Sequence, residues 1–271
     1  MPELPEVEHA ATRLRAEAVG KTIARAATLH PSLARSLTAA SCRALVGRRI
    51  VSVTRRAKIQ LVALDDGHTL EVHFRMTGDW AFSHVGAAAP RYERVRIECT
   101  DGTCISLTDS RAFAVMRLHA KNAMVLPALG PEPLSDEFTT DVFARALSTR
   151  RAPIKPVLLD QRVVAGLGNI YAAEALWTAR IHPTRVAASL SRARVHALHD
   201  AIRVVLLNAP AQRYYQQHDA SDITQRDVTT QDEEPWHIYG REGESCERCG
   251  ATVRRIVQAG RSTFYCGGCQ R

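Results

Sequence analysis

The sequence predicts an α+β fold: an N-terminal helix plus a β-sandwich domain, then a helical domain, then a finger whose β-hairpin is held by metal. Three observations carry this reading. Residues 22–120 run as short β-forming stretches punctuated by Asp-Gly at 65–66 and 101–102. Residues 139–208 switch to helical periodicity. Four of the seven cysteines fall within the last 26 residues as two C-x2-C pairs. The expected domains are 1–130, 131–235 and 236–271.

The first 20 residues read as a helix. Prolines at 2 and 5 suit a helix start, Leu14 and Ala18 share one side, and Gly20 stands where a helix is capped. Next, "RRIVSVTRRAKIQLVAL", "HTLEVHFRMTG" and "YERVRIECTDGTCISLTDSRAF" read as strands, and so many in succession make a sandwich or barrel. The "TDGT" turn is expected to set Cys99 and Cys104 facing each other across two strands as reduced packing residues. "ALGPEPLSDEF" (128–138) is punctuated by proline and marks the first boundary. Helices are expected over "TTDVFARALSTR", "PIKPVLLDQRVVAG", "NIYAAEALWTARI" and "SLSRARVHALHDAIRVVLLNA", with "GLGN" at 166–169 between the second and third. Residues 209–235 are polar and lack periodicity, so they read as a mobile loop.

Apolar residues make up 45% of the chain and charged residues 24%, which suits a soluble globular protein. No apolar run is long enough for a membrane helix and the N-terminus lacks the core of a signal peptide, so a cytoplasmic location is expected. Lys and Arg number 36 against 28 Asp and Glu, a net charge of +8. Arginine supplies most of the excess, and its forked donors suit phosphate.

An odd cysteine count in such a chain argues against a disulfide framework. Cys246, Cys249, Cys266 and Cys269 instead give C-x2-C, sixteen residues, C-x2-C. Two thiolates from each pair close a tetrahedral sulfur site, so one structural Zn2+ is expected. It would hold Arg254, Arg255 and Arg261 on a small rigid scaffold.

Other candidates carry two readings each. "GLGN" is either an ordinary helix–helix turn capped by Asn169 or an anion site at a helix N-terminus. By residue type alone, Lys155 is solvent-exposed, Lys58 a charged edge-strand residue, Arg111 a surface charge, and Met76 and Phe113 core. None of the 11 histidines shows metal-ligand spacing.

Taken together, these pieces resemble the bacterial formamidopyrimidine-DNA glycosylase and endonuclease VIII family. The resemblance runs through "PELPEVE" (2–8), "RRAK" (55–58), "RMTG" (75–78), "TDSRAF" (108–113), "LGPEPLSDEF" (129–138), "GLGNIYAAEALW" (166–177), "YGREGE" (239–244) and "GRSTFYCGGCQR" (260–271). It implies a DNA base-excision repair glycosylase with abasic-site lyase activity, a helix-two-turn-helix arrangement in the helical domain, and duplex DNA bearing damaged bases or abasic sites as partner. Pro2 would be the nucleophile once Met1 is removed, Glu3 the neighbouring acid, Lys58 a cation beside the target nucleotide and Glu6 a lesion-pocket residue. Met76, Arg111 and Phe113 would fill the gap left by an extruded base. Lys155, Asn169, Tyr171 and Arg261 would grip phosphates, and Glu174 would support the helix-turn-helix region. A monomer working at the bacterial nucleoid is expected, with no membrane partner.

The resemblance departs in two places. Ser110 and Ala112 stand where the family pattern has proline and arginine, and Ala114 where it has glycine. The segment 209–235 lacks the Gly/Thr-bearing signature of the loop that closes over 8-oxoguanine. The preferred lesion therefore stays open between ring-opened purines, 8-oxoguanine, oxidised pyrimidines and other adducts. A catalytically silent binder of damaged DNA has no need of Pro2, Glu3 and Lys58 together, and a zinc-ribbon transcription factor leaves "PELPEVE" without a task.

Overall fold

Helix α1 (Leu4–Ala18) starts where the prolines suggested, with Pro5 in its first turn and Glu3 at its N-cap. The Glu3 carboxylate accepts from the Glu6 backbone, and Glu6 Oε2 accepts from the Glu3 N–H at 2.8 Å, a reciprocal capping box. The helix buries Leu4, Val7, Ala10, Ala11, Leu14 and Ala18 along one side. Each such leucine contributes about 1.5–3 kcal/mol by leaving water. The computed structural model describes residues 2–209 and 236–271, so Met1 and nearly all of the expected 209–235 loop lie outside the described residues. The chain divides into two compact units, residues 2–126 and residues 127–209 with 236–271.

In the first unit the strands are β1 (Ile23–Thr28), β2 (Ile50–Arg56), β3 (Ile59–Leu64), β4 (Thr69–His73), β5 (Gly78–His84), β6 (Glu93–Cys99), β7 (Thr103–Asp109) and β8 (Val115–His119). They form two four-stranded antiparallel sheets, β1-β6-β7-β5 and β2-β3-β4-β8. Their apolar residues join the buried side of α1 in a core around Trp80, Phe74, Val62, Val72, Leu107 and Met116. Phe74 and Trp80 meet edge-on at 5.8 Å.

Two expectations for this unit are corrected. Two short helices, α2 (Pro31–Ala34) and α3 (Ala39–Leu45), interrupt the expected run of strands. Their caps explain them, because His30 and Thr38 accept backbone N–H bonds from Ser32 and Ser41. Cys99 and Cys104 do not face each other either. The register pairs Cys104 with Glu98, because the loop has three residues and ends on Gly102 at φ 85°. Cys99 therefore enters the core, while Cys104 lies on the other face near Ser106. Both are buried free thiols.

The second unit contains α4 (Thr140–Ser148), α5 (Ile154–Leu159), α6 (Asn169–Thr178), a 3-10 turn (Ala187–Ser189), α7 (Arg192–Leu207) and the hairpin β9 (Val253–Gln258)–β10 (Arg261–Cys266). Thr139 and Ser191 cap α4 and α7 through their hydroxyls. Helix α5 is shorter than the sequence suggested. Asp160 ends it by turning its carboxylate onto the Arg162 N–H two residues ahead, an Asx turn that competes with the helix. Helix α6 is buried from Tyr171 to Trp177, with Glu174 as its one buried charge, and is packed by α5, α7 and β10.

Candidate active site and nucleic-acid interface

Pro2 is half-buried directly before α1, and Glu3 is only 1% exposed. The capping box fixes the Glu3 backbone and carboxylate together, and so fixes the start of the chain. Lys58 is not on a strand as its pattern suggested. Arg56 pairs with Ile59, which leaves Ala57 and Lys58 as a two-residue hairpin turn with Ala57 at φ 52°. Arg55 braces that turn, donating to the Ala57 carbonyl at 2.9 Å and to Glu8 Oε2 on α1 at 2.6 Å. One guanidinium thus joins the helix that begins at Leu4 to the turn that carries Lys58.

Met76 lies half-exposed in the β4–β5 loop, while Arg111 and Phe113 project from the β7–β8 loop. Phe113 is 52% exposed, so the core expected from its residue type does not take it. The Arg111 guanidinium sits 5.0 Å from its ring centroid. Gly78 lets the β4–β5 loop fold tightly, because a Cβ there would lie 2.9 Å from the Phe74 backbone. Beside this loop His73 accepts from the Arg75 N–H through Nδ1 at 3.0 Å. Burial, with Arg75 and Lys58 nearby, brings the His73 imidazole down to about 4.

In the second unit, Lys155 is 1% exposed rather than solvated. Its ammonium donates to the Ser262 carbonyl and the Thr263 hydroxyl, both at 2.8 Å. Asn169 donates to the same carbonyl at 3.0 Å and is the first residue of α6, whose N-cap is the extended Gly168 and not Asn169. Tyr171 is buried edge-on against Trp236 at 5.4 Å. Arg261 stands exposed beside the two-residue turn Ala259–Gly260, both at positive φ. The Glu174 carboxylate, held above its usual range by burial, accepts from the backbones of His237, Ile238 and Tyr239 at 3.1, 2.9 and 2.9 Å.

The four clustered cysteines bring their sulfurs within 4.8 Å of one another. The Sγ–Sγ separations of 3.9 Å (Cys246–Cys269) and 3.4 Å (Cys249–Cys266) are far too long for disulfides. They suit a tetrahedral Zn–S distance of about 2.3 Å, whose edges are about 3.8 Å. Burial and the neighbouring thiols push Cys269 up to about 12, a crowding that a divalent cation relieves. Burial also acts on Cys246, but hydrogen bonds led by the Trp177 indole N–H at 3.5 Å bring it down to about 6. The residues fit one structural zinc, with no open position for chemistry.

Comparison with known proteins agrees with this geometry. The formamidopyrimidine-DNA glycosylase N-terminal domain matches residues 1–116, its H2TH domain 129–216, and the zinc finger found in FPG and IleRS 243–271. A formamidopyrimidine-DNA glycosylase of Sphingopyxis alaskensis is 41% identical, over all of both chains. The chain belongs to the formamidopyrimidine-DNA glycosylase family. Among solved members of this glycosylase family, MutM in complex with DNA containing carbocyclic 8-oxo-G is 33% identical with a TM-score of 0.87 over all of both chains. The Lactococcus lactis enzyme bound to DNA containing an AP site is 31% identical with a TM-score of 0.84 over 99% of each.

This glycosylase-family chain also shows residues that sequence reading passed over. Asp109, Arg55 and His73 hold the loops around the candidate residues, and Trp177 donates to a zinc-ligand sulfur. Tyr92 is exposed, with the Arg91 and Arg94 guanidinium groups 4.5 and 5.7 Å from its ring centroid, and its carbonyl accepts from the Asp109 N–H at the end of β7. Trp177 gave no signal because its contact lies 69 residues away, and the others because their bonds depend on loop backbone conformation that residue type does not reveal. Among the described residues no helix is long and apolar enough to cross a membrane.

Proposed function

We propose that this chain removes ring-opened or oxidised bases from duplex DNA and opens the resulting abasic site, with Pro2 as the nucleophile. Its family makes it a DNA base-excision repair enzyme, a glycosylase with abasic-site lyase activity; the residue roles and the lesion are the proposal. The observation that carries it is the anchored N-terminus, with Pro2 next to the buried, capped Glu3 and with Arg55 tying α1 to the Lys58 turn. Residues 1–130 carry the chemistry, 131–235 grip the DNA and 236–271 form the zinc finger.

With Met1 removed, the Pro2 nitrogen is a secondary amine, more often unprotonated at pH 7 than a lysine. It attacks C1′ as the bond to the base breaks, and Glu3 serves as the acid. The attacking nitrogen then gives up its proton and expels the ring oxygen O4′, which Glu3 protonates. The open-chain iminium that results has no N–H to lose and stays an electron sink. Loss of a proton from C2′ expels the 3′-phosphate, and a second elimination expels the 5′-phosphate. Hydrolysis of the remaining imine returns Pro2.

Lys58 supplies positive charge beside the target nucleotide, and Glu6 borders the lesion. Met76, Arg111 and Phe113 occupy the gap in the duplex, which offsets part of the few kcal/mol that unstacking costs. Arg261 and Asn169 hold phosphates, with Lys155 and Tyr171 setting the carbonyl and helix end that they rest on. Glu174 secures the segment leading to the finger. A DNA substrate and relatives from bacteria support a nucleoid location.

The departure at 209–235 supports a lesion range that does not centre on 8-oxoguanine. Duplexes carrying ring-opened guanine, 8-oxoguanine, an oxidised pyrimidine or an abasic site, cut in parallel, test this. Ring-opened guanine and the abasic site should be cut fastest; 8-oxoguanine as the best substrate would contradict the reading.

A further inference from the structure

The carboxylate of Asp109, 1% exposed at the end of β7, is bonded on both sides to the two loops that carry Met76, Arg111 and Phe113. One oxygen accepts from the Thr77 hydroxyl and from the Arg111 N–H at 3.1 Å. The other accepts from the Phe113 and Ala114 N–H groups, both at 2.7 Å. Thr77 completes the link, since its hydroxyl oxygen accepts from the Arg111 N–H at 3.2 Å. The Asp109 backbone carbonyl adds a bond from Arg94 Nε at 2.7 Å.

Both loops need such a restraint. Each contains a non-glycine residue in the left-handed region, Arg75 at φ 59° and Ala112 at φ 55°. These conformations persist only where surrounding bonds over-determine them. The apolar ring of Phe113 is also held out in water, although collapse onto the protein would favour its burial. Ser110 stands where the family pattern has a proline that would stiffen the β7–β8 loop, which leaves its shape to these hydrogen bonds.

We infer that Asp109 and Thr77 form a clamp that positions the three gap-filling side chains as one preassembled wedge, so that opening the duplex does not first have to order two independent loops. The inference rests on the proposed gap-filling role of those side chains. Asp109 and Thr77 are positioning residues, acting on base extrusion and not on the chemistry at C1′. The clamp predicts a split between substrates, because a preformed abasic site needs less unstacking than a paired damaged base.

The test uses the full-length enzyme in single-turnover cleavage of two duplexes, one with a ring-opened guanine and one with a preformed abasic site. Thr77→Val removes the hydroxyl at nearly constant volume, Thr77→Ser restores it, and Asp109→Asn keeps the shape while removing the charge. Loss of a hydrogen bond to a charged group corresponds to roughly tenfold or more. Thr77→Val and Asp109→Asn should therefore slow damaged-base excision by about that factor, leave abasic-site cleavage within about twofold, and regain the rate in Thr77→Ser. A 2-aminopurine next to the lesion should show the same delay in duplex opening. Phe113→Ala is the control for the parent reading. If Phe113→Ala is selective but Thr77→Val and Asp109→Asn slow both substrates equally or neither, the clamp is wrong and gap filling stands. If Phe113→Ala itself slows both substrates equally, gap filling fails and the clamp with it.

Discussion

At the scale of single residues, the candidate site is held by polar groups whose hydrogen bonds fix its loops and the start of α1. His73 is neutral because burial opposes its charge and because Arg75 and Lys58 stand close, with Glu71 acting weakly the other way. Its folded value, lowered to about 4, lies below the unfolded one, so the unfolded chain takes up the proton first. Stability should therefore fall as the pH drops from about 6.5 through 4, and His73→Gln should flatten that part of a melting-temperature profile. Protonation at Nδ1 also ends the bond from Arg75, which loosens the Met76 loop at the same time. Glu3 makes a second residue-scale case. Glu3→Gln keeps an oxygen that accepts from the Glu6 N–H but cannot deliver a proton in the same way. It should bind an abasic duplex with near-native affinity in a fluorescence titration and lose base excision by about a hundredfold or more.

At the scale of elements, what the sequence disclosed and what it hid follow one physical division. Elements set by local periodicity and spacing were legible: α1 from its prolines and Leu14/Ala18 side, the strands from β-formers around Asp-Gly, and the zinc site from two C-x2-C pairs. Features set by long-range contacts or by a single backbone conformation were not. Lys155 looked like a solvated helix residue until Ser262 and Thr263 were seen to receive its ammonium from 107 and 108 residues away. Lys58 looked like a strand residue because the left-handed Ala57 that makes the turn leaves no mark in the side-chain pattern. Glu174 shows the same logic as an energetic claim. Its carboxylate takes three backbone N–H groups of residues 237–239, and Glu174→Ala leaves them without that acceptor. A loss of about 3 kcal/mol or more in urea denaturation is expected, together with easier extraction of zinc by a chelator. An unchanged midpoint and unchanged zinc retention would show that residues 237–239 are held by other contacts.

At the scale of the whole molecule, the net charge of +8 gives the chain a sequence-independent attraction for DNA that lesion recognition then refines. Arg261, exposed on the zinc-held hairpin, is assigned to that general attraction. Arg261→Ala should weaken binding to damaged and undamaged duplexes alike and lower the salt slope of log K by about 0.9, the value for one phosphate contact. A variant that changed only which lesion is cut would move Arg261 into the lesion pocket. The central claim concerns the first residue of the processed chain, because the amine, the acid and the elimination chemistry all depend on it. With Met1 attached, the Pro2 nitrogen is a tertiary amide and has no lone pair to offer. Borohydride reduction of enzyme turning over an abasic duplex, followed by mass spectrometry of the trapped peptide, reports which nitrogen is joined to the sugar. DNA on the N-terminal Pro2 of a chain lacking Met1 is the expected result. DNA on Lys58 or another lysine, in active enzyme that retains Met1, would contradict it.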